Sequence, residues 1–158
     1  MNVILALVNQ KGGCGKTTSA IHLAAAFAHR DLRVLLVDLD PQGHAGMGLG
    51  IEAPPDRPAI SDVLARTPLT GMGPALEQAV VAARPGLDLV PANLGLAGLA
   101  MRPATVPGRE ERLAEHRAEI IEGWDVVVVD SPPNLGLLTV NALVAAGKAL
   151  IPLEPSSF

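Results

Sequence analysis

Three short apolar runs stand out along the chain, each closed by a chemically distinctive residue. Val3–Val8 runs into a glycine-rich stretch. Arg33–Asp38 (Arg-Val-Leu-Leu-Val-Asp) ends in a carboxylate, and Trp124–Asp130 (Trp-Asp-Val-Val-Val-Val-Asp) ends in another. Runs this short without polar alternation are expected for strands covered on both faces. Between them, Thr17–His29 places Ile21, Ala24, Ala25 and Ala28 at helical spacing, with small side chains suited to close packing on a sheet. Ile60–Arg66 reads as a short helix that Ser61 caps from just inside its start. Pro74–Ala83 reads as another helix, Arg109–Glu122 as a charged amphipathic one and Leu135–Ala146 as an apolar one. Leu87–Pro91 and Ala149–Leu153 read as strands, Ile51–Pro58 as a proline-rich connection, and the Ala/Gly/Leu-rich stretch up to Met101 gives no clear period. Strands alternating with helices predict an α/β fold: a mostly parallel sheet with helices on both faces, in one domain over residues 1–158.

Composition adds bounds rather than identity. A chain of 158 residues with 49% hydrophobic content suffices for one real core. Cys14 is the single cysteine, so no intrachain disulfide can form, and a reducing compartment fits. No apolar run reaches the length of a membrane span, and the Met1 segment lacks the basic start and cleavage site of a signal peptide. A cytoplasmic protein is expected, without membrane attachment. Net charge of −4 leaves no electrostatic footprint for nucleic acid over the whole chain. Arg102, Arg109, Arg112 and Arg117 are interspersed with Glu110, Glu111, Glu115 and Glu119, a pattern of a solvated, salt-bridged helix face. Trp124 is expected to pack at a strand entrance.

The chemistry is concentrated after the first apolar run, in Gln10-Lys11-Gly12-Gly13-Cys14-Gly15-Lys16-Thr17-Thr18. The usual phosphate-loop pattern needs glycine where Gln10 stands. The match is instead to K-G-G-x-G-K-[ST], in which Lys11 precedes Lys16 by five residues. Gly12, Gly13 and Gly15 lack Cβ atoms, so the backbone can take positive φ and turn successive N–H groups onto phosphate oxygens. Thr17 and Thr18 open the following helix, whose N-terminus adds free N–H groups and a partial positive charge. Lys16 supplies a full charge to the β/γ-phosphates, and the Thr17 hydroxyl is placed to ligate Mg²⁺. Only Lys11, Lys16 and Lys148 are lysines, so two of the three fall inside this loop. Cys14 fills a slot for a small side chain.

In a parallel sheet the ligand sits at the carboxyl ends of the strands, which directs attention to Asp38, Asp40 and Asp130. Val37-Asp38-Leu39-Asp40-Pro41-Gln42-Gly43 puts two carboxylates two residues apart, on one side if extended, and Val129-Asp130-Ser131-Pro132-Pro133 adds a third. A strand-end aspartate can hold Mg²⁺ directly or through water, and one near the γ-phosphate can orient the attacking water. Strand-end aspartates also serve as helix caps and turn formers, and the residues alone leave these roles open. His44, after Gln42 and Gly43, reads as an exposed loop residue.

These segments together, Asn9–Thr18, Val37–Gly43 and Val128–Thr139, resemble the ParA/MinD family of deviant-Walker P-loop ATPases, and most closely its chromosome-partitioning ParA/Soj members. The resemblance runs from Met1 to Phe158 and implies a P-loop NTPase fold of the SIMIBI type binding ATP and Mg²⁺. It implies that Lys11 reaches across a nucleotide-sandwich dimer to the partner's phosphates, and that Lys16 is the in-subunit phosphate lysine. By the same resemblance Thr17 is a metal ligand, Asp40 positions or activates the hydrolytic water, Asp130 acts on Mg²⁺ through water and Asp38 supports the metal and phosphate region. It further implies an ATP-dependent homodimer, a partner protein that stimulates turnover, and, through a surface of the full-length family expected to lie past Phe158, non-specific DNA binding with nucleoid association.

Family members continue past the position of Phe158, so the sheet is expected to be incomplete at the C-terminus, with Ala149–Leu153 as an exposed apolar edge. Two functional readings follow. One is an Mg²⁺-dependent ATPase that dimerises with ATP in chromosome or plasmid partitioning, and the other is a non-catalytic remnant or interaction module that binds nucleotide weakly or not at all. Among other relatives sharing the loop variant, nitrogenase-type iron proteins need cluster cysteines that this chain lacks outside the loop. Amide-forming and carboxylating synthetases fit the Asp-Pro-Gln-Gly and Asp-Ser-Pro-Pro segments poorly.

Overall fold

A computed structural model describes residues 2–66, 73–103 and 105–155. Among these residues six strands form one sheet: β1 (Val3–Leu7), β2 (Val34–Asp38), β3 (Val81–Arg84), β4 (Leu87–Val90), β5 (Val126–Asp130) and β6 (Lys148–Leu150). Their order is β3-β4-β2-β5-β1-β6, and every pairing is parallel except β3 with β4. Among the described residues six α-helices accompany them: α1 (Lys16–Ala28), α2 (His44–Leu49), α3 (Ile60–Ala65), α4 (Gly95–Ala100), α5 (Arg117–Gly123) and α6 (Leu137–Ala145).

The apolar runs become central strands because each of their faces meets a separate core. Leu35, Val37, Val127 and Val129 pack on one side with Ile60, Val63, Leu96, Ile120, Leu138 and Ala142 of α3–α6. Val34, Leu36, Val126 and Val128 pack on the other with Ala20 and Ala24 of α1 and with Ala45 and Leu49 of α2. Every residue of β2 and β5 is buried, so one methyl-rich side chain per position serves either face of the pleat. The register sets Asp130 of β5 beside Leu7 of β1 on one flank and Asp38 of β2 on the other. All three residues end parallel strands, and the phosphate loop starts from this edge.

Several elements depart from expectation for identifiable reasons. Pro74–Ala83 is not a helix: a 3₁₀ turn at Leu76–Ala79 leads into β3. The Pro85-Gly86 pair, with Gly86 at φ 75°, turns the chain back into β4. Arg109–Glu122 is not one helix either. The carboxamide of Asn141 on α6 accepts from Leu113 N (3.2 Å) and donates to Arg109 O (2.8 Å), taking the donor and acceptor that an α-turn would join. Regular helix resumes only at Arg117. Arg112, expected on a solvated face, is buried and donates to the carbonyl of Pro107.

Helix α2, absent from the sequence-based reading, places His44 at a helix start rather than in a loop. Its glycines are tight: a Cβ at Gly46 would lie 2.8 Å from Ile51 O, and one at Gly48 would lie 2.6 Å from Ile21 Cδ1 on α1. Ser61 does not cap α3; the Asp62 carboxylate accepts from Ala59 N at 2.8 Å instead. The last strand is Lys148–Leu150 rather than Ala149–Leu153, since Pro152 has no N–H to extend the ladder with β1. It lies at the sheet edge, with Ile151 and Leu153 exposed beyond it. Trp124 is buried where expected, its indole N–H donating to Asp88 Oδ2 at 2.9 Å.

Candidate functional site

The loop between β1 and α1 makes a cleft with the residues that follow β2 and β5. Gly13 and Gly15 take φ of 75° and 85°, a conformation that costs L-residues energy, and Gly15 immediately precedes α1. Gly12, Gly13, Gly15, Lys16, Thr17 and Thr18 line one wall of the cleft; Asp40, Gln42, His44 and Pro133 line the other. Lys16 is buried, and its ammonium donates to the carbonyl of Lys11 at 3.0 Å. Cys14 closes the same turn, its thiol donating to that carbonyl at 3.1 Å.

Lys11 points elsewhere. Its ammonium pairs with Glu154 at 2.8 Å, both groups being about half exposed, and the pair holds the Glu154 carboxyl below its ordinary range. Asn9 ties the same two segments together, accepting from Lys11 N (2.9 Å) and donating to Pro152 O (2.7 Å). An exposed pair of this kind contributes up to about 1 kcal/mol, so it restrains Lys11 only weakly.

The three aspartates come together but differ in saturation. Asp38 is fully buried; Oδ1 accepts from Asp40 N at 3.0 Å, and Oδ2 accepts from Ala45 N at 3.0 Å and Gly46 N at 3.4 Å. Burial, then the charge of Asp130, push its pKa up to about 7 against the pull of those three N–H groups. Asp40 is buried at the cleft wall, with Oδ1 accepting from Gln42 N at 3.0 Å. Asp130 is fully buried, and neither oxygen receives a hydrogen bond of ordinary geometry from the described residues. Burial and the Asp40 charge raise its pKa to about 6, although the nearby Thr17 hydroxyl and Lys16 charge pull it down.

Three buried carboxylates with one buried lysine among them leave excess negative charge, which a divalent cation would relieve. The donor set fits Mg²⁺: an orphaned carboxylate at Asp130 beside the Thr17 hydroxyl, with room at the loop for phosphate oxygens. No group of three His, Cys, Asp or Glu side chains among the described residues is arranged to hold a metal.

Sequence reasoning missed several contributors. Ser131 donates from its buried hydroxyl to Leu7 O at 2.6 Å, locking the end of β5 to the start of the phosphate loop. Asn134 accepts from Gly136 N (2.8 Å) and takes the Thr139 hydroxyl on its carbonyl (2.7 Å), shaping the turn into α6. An Asn-x-Gly spacing is a readable turn signal; the partners of Ser131, Asn9 and Glu154 are set by the sheet order alone. Among the described residues no helix is long and apolar enough to cross a membrane.

Comparison with known proteins places this geometry. A family model described as an AAA domain matches residues 1–158. Among curated proteins, the sporulation initiation inhibitor protein Soj of Bacillus subtilis is 38% identical over 154 residues, covering 98% of this chain and 59% of that protein. The chromosome partitioning protein ParA of Caulobacter vibrioides is 41% identical over 157 residues, covering 98% and 57%. A solved structure named as a cobyrinic acid a,c-diamide synthase from Mycobacterium smegmatis, with bound ADP and magnesium, superposes with a TM-score of 0.83 at 40% identity, covering 97% of this chain and 60% of that one. The Cyanothece McdA–ATP complex superposes with a TM-score of 0.85 at 26% identity, covering 96% and 56%. The chain thus spans less than two thirds of the length of these relatives. Matched along its whole length by the AAA-domain model and by partition proteins near 40% identity, the chain belongs to the ParA/Soj family of deviant-Walker P-loop ATPases.

Proposed function

We propose that this chain is the nucleotide-binding portion of a ParA-type ATPase, taking up Mg-ATP at the loop Lys11–Thr18 and using the bound nucleotide to pair two copies. The observation that carries the reading is the meeting of Lys16, Thr17 and the unsatisfied Asp130 at one cleft, with Asp40 on the facing wall. The glycine backbone supplies N–H donors to the phosphates, and Lys16 trades the Lys11 carbonyl for a phosphate oxygen. Thr17 and Asp130 would hold Mg²⁺, Asp130 through water; the ion, when bound, offsets phosphate charge. Asp40 orients the attacking water. Lys11 leaves Glu154 and reaches the partner's phosphates, so that ATP and association reinforce one another.

ATP binding is supported by the ligands named in two neighbours, ADP with magnesium in one and ATP in the other. Chromosome or plasmid partitioning is supported by the names of the curated relatives. A partner protein that stimulates turnover, non-specific DNA as the working surface, and a cytoplasmic, nucleoid-associated location complete the proposal. The amide-forming synthase named among the neighbours is the competing activity; hydrolysis of ATP without added amide donor or acceptor acid separates it from a partition ATPase.

Equilibrium binding of labelled ATP and GTP, with and without Mg²⁺, tests the reading. The expected result is saturable ATP binding that strengthens with Mg²⁺. No binding at millimolar nucleotide would select the alternative, a remnant or interaction module without nucleotide chemistry.

A further inference from the structure

Asp38 and Asp130 are neighbours in register on adjacent parallel strands, both fully buried, yet they are used in opposite ways. Asp130 has both oxygens unsatisfied. Asp38 has both oxygens committed, and all three of its donors belong to the backbone of the segment that carries Asp40. One carboxylate therefore grips that segment at its beginning, through Asp40 N, and at its end, through Ala45 N and Gly46 N. Between those points Asp40 closes its own turn, accepting from Gln42 N at its carboxylate and from Gly43 N at its carbonyl. Gly46 permits the close approach on the far side, since a Cβ there would lie 2.8 Å from Ile51 O. A neutral amide at position 38 could accept with only one oxygen and would turn an N–H₂ group toward backbone donors.

We propose that Asp38 is a positioning residue, its carboxylate fixing the Asp40 segment to the end of β2 while metal binding is left to Asp130. This replaces the metal-supporting role that family resemblance suggests for Asp38. Moving Asp38 toward a metal would strip hydrogen bonds from Asp40, Ala45 and Gly46 together, whereas Asp130 has no such bonds to lose. Only the consequence for turnover rests on the ATPase reading; the anchoring of residues 40–46 does not.

The test compares Asp38→Asn with Asp130→Asn in the 158-residue chain by three readouts: amide exchange by NMR without nucleotide, Mg²⁺ titration of ATP binding, and steady-state hydrolysis. Asp38→Asn is expected to speed exchange at the amides of Asp40, Ala45 and Gly46 by about tenfold or more. It should lower kcat by about tenfold or more with KM for ATP held, and move the Mg²⁺ midpoint by only about threefold through loss of a neighbouring charge. Asp130→Asn should leave those amides protected and move the Mg²⁺ midpoint by about tenfold or more. An Asp38→Asn variant that matches Asp130→Asn in the Mg²⁺ titration while keeping its 40–46 amides protected would overturn the proposal. If the wild type binds no nucleotide, the ATPase reading fails and amide exchange alone decides the anchoring. Should Asp38→Asn not fold, Asp38→Ser retains one acceptor in a smaller volume and carries the same readouts.

Discussion

Replacing Asp130 with asparagine should remove the pH dependence that a buried, unsatisfied carboxylate imposes on folding. Asp130 has its pKa raised from 3.8 to about 6, burial being the first cause and the Asp40 charge adding to it. Between those values the folded chain holds a proton that the unfolded chain has lost, so the stability that this group contributes at acid pH falls as pH rises through the window and is gone above the folded value. A shift of about 2 units corresponds to about 3 kcal/mol, of which about 2 kcal/mol falls between about pH 4.5 and pH 7.5. Asparagine does not titrate. Whatever fixed cost its unpaired amide adds, typically about 1–3 kcal/mol, is the same at both pH values and cancels from the comparison. Removing the Asp130 charge also relaxes Asp38, whose pKa that charge helps raise, and this adds in the same direction. Urea unfolding of both proteins across the range, without nucleotide or Mg²⁺, should show the variant gaining about 2 kcal/mol on the wild type from the acid end to the neutral end. A stability difference that stays constant with pH would refute the reasoning about this carboxylate.

Further outcomes follow from the same geometry. Lys16→Ala should abolish nucleotide binding, whereas Asp40→Ala should spare binding and stop turnover, read by equilibrium binding and phosphate release; wild-type rates in Asp40→Ala would sink the proposed mechanism. Gly46→Ala should cost about 1–3 kcal/mol in thermal or urea unfolding because the new methyl meets the backbone carbonyl of Ile51 rather than a movable side chain. Asn141→Ala should cost about 2–4 kcal/mol, since Leu113 N–H and Arg109 C=O lose their partner together in a buried segment; a change below about 0.5 kcal/mol would mean those groups find water or each other.

The parts of the fold that were legible in the sequence are those in which a local pattern and a burial requirement coincide. Val34–Val37 and Val126–Val129 are apolar throughout because helices cover both faces of the strands they belong to. The phosphate loop was equally legible, since positive φ, close backbone approach and two lysines leave few alternatives. Helix α2 was not, because Gly46 and Gly48 lower helix propensity while their small size lets the helix pack near Ile51 and Ile21. The break before α5 was invisible for another reason: its cause, Asn141, lies 28 residues downstream on a different element. Asp38 shows the same limit within the site. Its spacing from Asp40 drew the two carboxylates together, and only the fold reveals Asp38 saturated by backbone donors while Asp130, its register neighbour on β5, is left without a hydrogen bond. Lys11 could be singled out from the loop motif, but its present partner, Glu154, is brought near by the pairing of β6 with β1.

The most direct measurement is light scattering of the chain with Mg-ATP, Mg-ADP or neither, set beside Lys11→Ala. Mass is expected to double with Mg-ATP only, and the Lys11→Ala variant to bind nucleotide yet stay monomeric. A mass unchanged by ATP in a wild-type chain that demonstrably binds it, or a Lys11→Ala variant that dimerises as well as the wild type, would contradict the claim that this loop couples nucleotide to pairing.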